Sequence, residues 1–509
     1  MPDDRASSLL RQMLAAIGRG WQSRLERSAE DVMSGLDPDD WSGLRALGHR
    51  MLDDMIDRLE SQEGGTKQPV WRPMAPADRA ALREPLPRGP TDPQALYARF
   101  QDRIVPFALG NTHPRFMGWV HGGGTGIGML AELLAAGLNA NLGGRDHAAI
   151  EIERTVIGWA AEMVGMPETS SGLLVTGSSM ANMIAVLTAR RAAAGASVRA
   201  EGVGGRGLVG YAGASAHGCL PRAFDMAGLG TDALRTVAVD GAWRMDVAAL
   251  AEAVARDRAA GNTPFIVAAT AGAVDTGAID DLAAIADFCA RERIWFHVDG
   301  AFAALACLSP AIRPRLAGIE RADSLAFDFH KWAQVPYDAG CVVVRDGAMQ
   351  AASFAQTLAY LSREDRGVAG NAPWPCDLGP DLSRGFRALK VWMTLATYGA
   401  DRLGAMVEES CAVARHLAAR VEREPTLALL APASLNIVCF RVTAGAEDLD
   451  RFNAELVKDL HESGIAVPSM TTIGGKRAIR AAIVNHRTTE ADVDMMIDGL
   501  LALAERRRG

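Results

Sequence analysis

Lysine is scarce in this chain, and one of the few sits where an amine could do chemistry. Of 53 Lys and Arg residues only five are lysines: Lys67, Lys331, Lys390, Lys458 and Lys476. Lys331 lies in Phe327-Asp328-Phe329-His330-Lys331-Trp332, among aromatic side chains. Apolar surroundings disfavour the ammonium form, which makes a lysine a usable amine nucleophile. A lysine that packs its stem and sends its charge to water would look the same over six residues. The hexapeptide alone leaves both readings open.

Other segments narrow them. Asp299 closes the apolar run Trp295-Phe296-His297-Val298-Asp299. A carboxylate at the end of a buried strand is costly unless it meets a cation, or unless it merely caps the next element. A pyridinium nitrogen would be such a cation, and pairing would keep the ring an electron sink. His217 follows the run Gly207–Ala212 and offers a flat imidazole to stack on that ring; a histidine there also satisfies itself readily on backbone groups. Thr176-Gly177-Ser178-Ser179-Met180 joins a predicted strand to a predicted helix. Its glycine permits a tight turn, and its hydroxyls and free N–H groups can cradle a phosphate. Serine at a helix start is also an ordinary cap. Taken together, the amine, the carboxylate, the flat ring and the cradle point to pyridoxal 5'-phosphate (PLP) carried on Lys331.

The elements that must position these groups follow from periodicity. Gly172–Thr176, Phe265–Thr270 and Ile294–Val298 read as short buried strands, and Met180–Ala193 and Leu282–Ala290 as helices between them. Such alternation implies a mostly parallel sheet covered on both faces, with its site beyond the carboxyl ends of the strands. Leu435–Val442 and Ala478–Val484 read as strands and Asp448–Ser463 as a helix, a small α+β unit. Near the start, Leu44, Leu47, Met51, Met55 and Leu59 make one apolar face over Trp41–Leu59. The Pro-rich stretch Pro69–Pro93 has no periodicity and must wrap onto something else. Three regions result: 1–110 as a helical arm and strap, 111–400 as the large domain, and 401–509 as the small one.

Bulk properties exclude several classes. The chain has 509 residues, 49% of them hydrophobic, and a net charge of -8 with no long basic run, so nucleic acid is not an expected partner. Met1–Arg11 has no charged n-region leading into an apolar stretch, and Met129–Leu138 is too short to span a bilayer. The seven cysteines form no CxxC pair and read as small buried hydrophobes in a cytoplasmic enzyme. Asp146, His147 and His121 do not have the spacing of metal ligands, and no metal is expected.

With these segments in view, the chain resembles the group II PLP-dependent amino-acid decarboxylases, which include aromatic-L-amino-acid decarboxylase. The matching segments are Asn111–Phe116, Glu151–Arg154, Thr176–Asn182, Ser215–His217, Ala269–Gly272, His297–Ala301, Asp323-Ser324, His330–Trp332 and Arg384–Lys390. The resemblance implies an α/β fold of the PLP-dependent transferase type I (aminotransferase-like) class, with a C-terminal small α+β domain. It implies a homodimer with the active site at the interface, clasped by the N-terminal arm. It makes Lys331 the Schiff-base lysine, Asp299 the pyridine-nitrogen partner and His217 the ring stacker. Ser178 and Ser179 become the phosphate-binding pair, Thr270 and Ala301 residues packed against the ring, and His330 and Ser324 further phosphate-side groups. Asp328 stands where relatives often carry Asn. The implied reaction is loss of CO2 from an L-amino acid to give an amine.

Two departures bear on the outcome. Relatives acting on aromatic acids carry a Tyr, thought to return the proton, in a mobile loop before the segment matched by Arg384–Lys390. Leu361–Arg384 contains none; the gapless position falls near Trp374-Pro375, and Tyr360 is the nearest tyrosine. Without a proton donor, oxygen can divert the reaction to an aldehyde. The substrate side is also unusual. Trp119, Val120 and His121 follow the His-Pro motif, and Asn139 and Asn141 add polar groups. Trp119 suits an aromatic substrate, while the polar groups suit a polar or acidic amino acid or a dimer interface. A carbon–sulfur lyase on the same fold, or a catalytically silent homologue, are the remaining readings; intact Lys331, Asp299 and His217 oppose the last.

Overall fold

The computed structural model describes residues 35–62, 67–356 and 363–508. Strand β1 (Phe116–Met117) joins a smaller sheet. The next seven strands build the larger one: β2 (Ser171–Val175), β3 (Leu208–Gly213), β4 (Leu234–Val237), β5 (Thr263–Thr270), β6 (Trp295–Asp299), β7 (Ser324–Asp328) and β8 (Gly340–Val344). Their order is β2-β8-β7-β6-β5-β3-β4. Only β8 runs against its neighbours. The strands are apolar on both faces because helices such as Ser178–Ala194, Val247–Ala259 and Leu282–Glu292 cover them. Asp246 and Asp281 start the latter two by accepting backbone N–H groups of the first turn.

The smaller sheet adds β9 (Leu427–Leu429), β10 (Ile437–Val442), β11 (Val467–Ile473) and β12 (Lys476–Ala482), in the order β1-β11-β12-β10-β9. The predicted strand from Leu435 starts at Ile437, because Leu435 is held at φ 52° in the left-handed region. Strand β11 has no counterpart among the expected elements. Pro468 weakens its signal, and it is tolerated where the neighbour is the two-residue β1. The β11–β12 hairpin turns on Gly474 and Gly475, both at positive φ as a tight two-residue turn requires. Among the described residues no helix is long and apolar enough to cross a membrane.

The N-terminal helix, Trp41–Glu60, forms as its periodicity predicts, capped by Asp40. Among the described residues its apolar face is only partly covered: Leu47 is buried, but Leu44 and Ile56 stand 44% and 43% exposed. Within 69–93 only Val70 is buried, against Phe116 and Val467. Helix Gly126–Leu138 likewise exposes Leu133, Leu134 and Leu138.

One buried ion pair ties the segment after residue 363 to the large sheet. Arg384 and Glu153 are both buried. Arg384 Nη1 donates to Glu153 Oε2 (2.9 Å) and to the Leu142 carbonyl (3.1 Å), while Nη2 donates to the Leu174 carbonyl (2.7 Å). Glu153 Oε1 in turn accepts the Leu174 N–H (3.0 Å). Helix Ala148–Val164, β2 and the 384 segment therefore share one clamp. Arg384→Met should lower stability to chemical denaturation by about 3–5 kcal/mol, because it strands a buried carboxylate. The double variant Arg384→Met, Glu153→Leu should recover most of that loss.

Candidate active site

Strand alternation builds the site. Thr270, Asp299 and Asp328 end the adjacent parallel strands β5, β6 and β7, and the register pairs Thr270 with Asp299 and Asp299 with Ala326. With a side-chain period of two, Thr270, Asp299 and Asp328 all leave the same sheet face at the carboxyl edge. The opposite face carries Phe296, Val298, Leu325 and Phe327 into the main core. The β2 and β3 ends bring Thr176–Ser179 and Ala214–Gly218 to the same edge.

Lys331 hangs from the turn after β7. Its ammonium meets Asp328 Oδ2 at 2.8 Å. The aromatic neighbours that make it conspicuous in sequence do not surround that ammonium: Phe327, Phe329 and Trp332 are core residues with no exposure. Asp328 is a hub. It also accepts the Ser178 N–H through Oδ1 (2.6 Å), and its Oδ2 lies 3.7 Å from His330 Nε2. Gly177 reaches this point because Gly340 faces it; a Cβ on Gly340 would collide with the Gly177 backbone. Ser179 is exposed at the start of helix Ser178–Ala194. His330 is buried, accepts the Ala339 N–H at Nδ1 (3.0 Å), and lies ring to ring with Tyr337 at 4.1 Å.

Asp299 is 3% exposed. Burial pushes its pKa up, and the charges of Lys331 and His217 and the Ala301 N–H (3.1 Å) pull against that. His217 is exposed and accepts the Cys219 N–H at Nδ1 (3.2 Å). The Thr270 hydroxyl is fully buried with no hydrogen-bond partner. Buried polar groups are normally paired, so an orphan hydroxyl beside an under-paired carboxylate suits a polar ring between them. Ser178, Ser179, His217, Thr270, Asp299, Ala301, His330 and Lys331 thus share one edge. Ser324 does not. It opens β7, about 13 Å of strand from Asp328, and its buried hydroxyl is spent on Trp295 and His297.

The five substrate-side candidates separate. Gly122 packs against the backbone of His330 and Lys331, leaving no room for a Cβ, and so carries His121 to the lysine. Rings follow one another from Trp119 to His121 (6.0 Å) to Tyr337 (5.7 Å) to His330 (4.1 Å). His121 Nδ1 is buried without a partner. Val120 is a core residue. Asn139 is the left-handed cap of helix Gly126–Leu138 and lines a cavity of about 310 Å³ with Tyr337. Asn141 Oδ1 is occupied by the Gly143 and Arg384 N–H groups.

Tyr360 lies outside the described residues. The described part of the expected loop is packed: Trp374 is buried with its indole N–H on the Gly370 carbonyl, and Arg154 holds Asn371 and the Pro373 carbonyl. Sequence reasoning missed Tyr337 and the central place of Asp328. The spacing of Asp328 and Lys331, three apart in one turn, was the available signal.

Buried histidines set a pH limit on the fold. Burial pulls His297 and His330 down to about 4 from an ordinary 6.5. The unfolded chain takes up these protons below about 6.5, and the folded chain only near 4. Stability is therefore complete above pH 6.5 and falls between 6.5 and 4, by up to about 3 kcal/mol per histidine. Denaturation midpoints measured from pH 7 to 4.5 should decline, and His330→Asn should make the decline shallower.

The pyridoxal-dependent decarboxylase conserved domain matches residues 76–443. Aromatic-L-amino-acid decarboxylase of Bacillus atrophaeus is 32% identical over 471 residues, 91% of this chain and 95% of that protein. Phenylacetaldehyde synthase of Arabidopsis thaliana is 30% identical, covering 90% and 95%. The solved structure of Oryza sativa TDC with PLP and tryptamine superposes with a TM-score of 0.85 at 27% identity, over 93% of this chain and all of that one. The chain therefore belongs to the pyridoxal-dependent decarboxylase family.

Proposed function

We propose that the protein converts an aromatic L-amino acid to its amine and CO2, as a cytoplasmic homodimer. The observation that carries the substrate class is the row of rings from Trp119 through His121 and Tyr337 to His330, which ends one residue from Lys331. A flat apolar substrate stacks on such a row. The uncovered apolar faces of helices Trp41–Glu60 and Gly126–Leu138 support a second copy as their cover. The cysteines resolved are all free and buried, as suits a reducing compartment.

The roles of the chain's residues follow from their chemistry. Lys331 would supply the amine that holds PLP, and Asp299 would pair with the ring nitrogen. Thr270 and Ala301 would pack against the ring, and His217 would stack on it. The Ser178-Ser179 turn and His330 receive the phosphate. Held there, PLP would supply the electron sink that decarboxylation needs. A proton must then return to the substrate carbon. Tyr337 suits that step by its place: its ring lies 4.1 Å from that of His330, the residue before Lys331.

A second outcome has a specific observation behind it. Among the described residues 363–384 there is no tyrosine. If reprotonation fails, dioxygen takes two electrons, and one amino acid with O2 and water gives aldehyde, CO2, ammonia and hydrogen peroxide. A panel of aromatic, acidic and other polar amino acids, with products read by mass spectrometry and peroxide by assay, separates the readings. Amine from aromatic substrates without peroxide is expected; turnover of acidic substrates alone would sink the aromatic assignment. Lys331→Ala should abolish the visible absorbance of bound PLP and all turnover. Tyr337→Phe should cut amine formation at least tenfold and raise the aldehyde fraction; an unchanged product ratio and rate would remove Tyr337 from the proton path.

A further inference from the structure

Behind Asp299, a chain of buried polar side chains runs back along the sheet face turned to helix Ser178–Ala194. Trp295 Nε1–H donates to Ser324 Oγ (2.8 Å). Ser324 Oγ lies 2.9 Å from His297 Nδ1, and His297 Nε2 lies 2.6 Å from Asn182 Oδ1. Asn182 Nδ2 meets Cys219 Sγ at 3.3 Å, and Cys219 Sγ lies 3.7 Å from Asp299 Oδ2. Ser324, His297 and Asn182 have no exposure, and Cys219 has 5%. Burying so many polar groups in a row is costly unless each is satisfied, and a satisfied row fixes the orientation of its last member.

The directions can be read from the end that has no choice. An indole N–H only donates, so Ser324 Oγ accepts there and has His297 Nδ1 for its own hydrogen. Burial keeps His297 neutral near pH 7, with one ring proton. That proton then sits on Nε2 and goes to the Asn182 carbonyl. Asn182 turns its NH2 toward Cys219. Burial and the Asp299 charge hold the thiol in its S–H form. The opposite setting also exists on paper. The imidazole proton would move to Nδ1, where the Ser324 carbonyl lies at 3.1 Å, and the Asn182 amide would turn over. Cys219 would then donate to Asn182 and leave Asp299 bare. The hydroxyl hydrogen of Ser324 selects the first setting.

We infer that Cys219 is a positioning residue that delivers its S–H to Asp299, aimed by the Asn182–His297–Ser324 chain. The inference rests on Asp299 being the partner of the PLP ring nitrogen. The other groups acting on Asp299 are Lys331, His217 and Asp328, together with the Ala301 N–H. Losing the S–H makes the ionised carboxylate costlier and loosens its hold on the ring nitrogen.

The test reads PLP itself, with no substrate present. PLP affinity is measured by absorbance titration, and the visible band of bound PLP is followed against pH. Cys219→Val fills the site without a donor and should bind PLP about fivefold more weakly, with a displaced pH profile. Cys219→Ser restores a donor and should match the unaltered protein in both. Asn182→Leu should resemble Cys219→Val although Cys219 is intact, and the double variant should be no worse than either single one. Unaltered affinity and pH profile in Cys219→Val, or additive losses in the double variant, would overturn the inference and leave Cys219 as a core filler. A wrong substrate class would show in the amino-acid panel and leave this measurement untouched.

Discussion

Everything in the site depends on keeping a charge inside the protein at Asp299. An ionised carboxylate in the interior costs several kcal/mol unless cations and donors surround it. The chain answers with strand geometry. Strand β5 ends level with β6, so Thr270 stands beside Asp299, the Ala301 N–H folds back onto the carboxylate, and the turn after β7 brings Lys331 within electrostatic reach. The same register sends Phe296, Val298, Leu325 and Phe327 the other way, into the core that holds the edge still. Polar site and apolar core are two faces of one pleat.

Asp328 is the second charge at that edge, and it acts differently. It binds the Lys331 ammonium and the Ser178 N–H together, so the lysine turn and the helix start are drawn to one point. His330 stands over it, stacked on Tyr337. The ring sequence that leads outward to Trp119 is thereby anchored at its inner end. A substrate entering along it would meet aromatic faces before meeting the amine.

Much of this was legible in the chain because it is local. Lys331, Asp299 and the Thr176–Met180 turn each lie at a strand end that apolar runs and glycine announce. The large sheet and its covering helices were readable for the same reason. What escaped reading depends on distance in space. Ser324 belongs to a matching segment, yet it opens its strand where Asp328 closes it, and only the fold says which end faces the cofactor. Val120 and Trp119 are neighbours in sequence, but the positive φ of Trp119 turns one toward solvent and leaves the other in the core. Strand β11 hid behind Pro468, and the short strands β4, β7 and β8 were not among the expected elements. Tyr337 gave no signal because its partners, His121 and His330, come from separate segments.

The Arg384–Glu153 clamp has a mechanical meaning. One guanidinium holds the carbonyl of Leu174 in β2, and β2 runs directly into the Thr176–Ser178 turn. The same residue anchors the end of the stretch that begins at 363. That stretch is also held by Arg154 on Asn371 and the Pro373 carbonyl, and by the Cys376 N–H on the Gly143 carbonyl. The Ser178 turn and the stretch up to Arg384 are thus braced by the same helix, Ala148–Val164, and the same strand, β2.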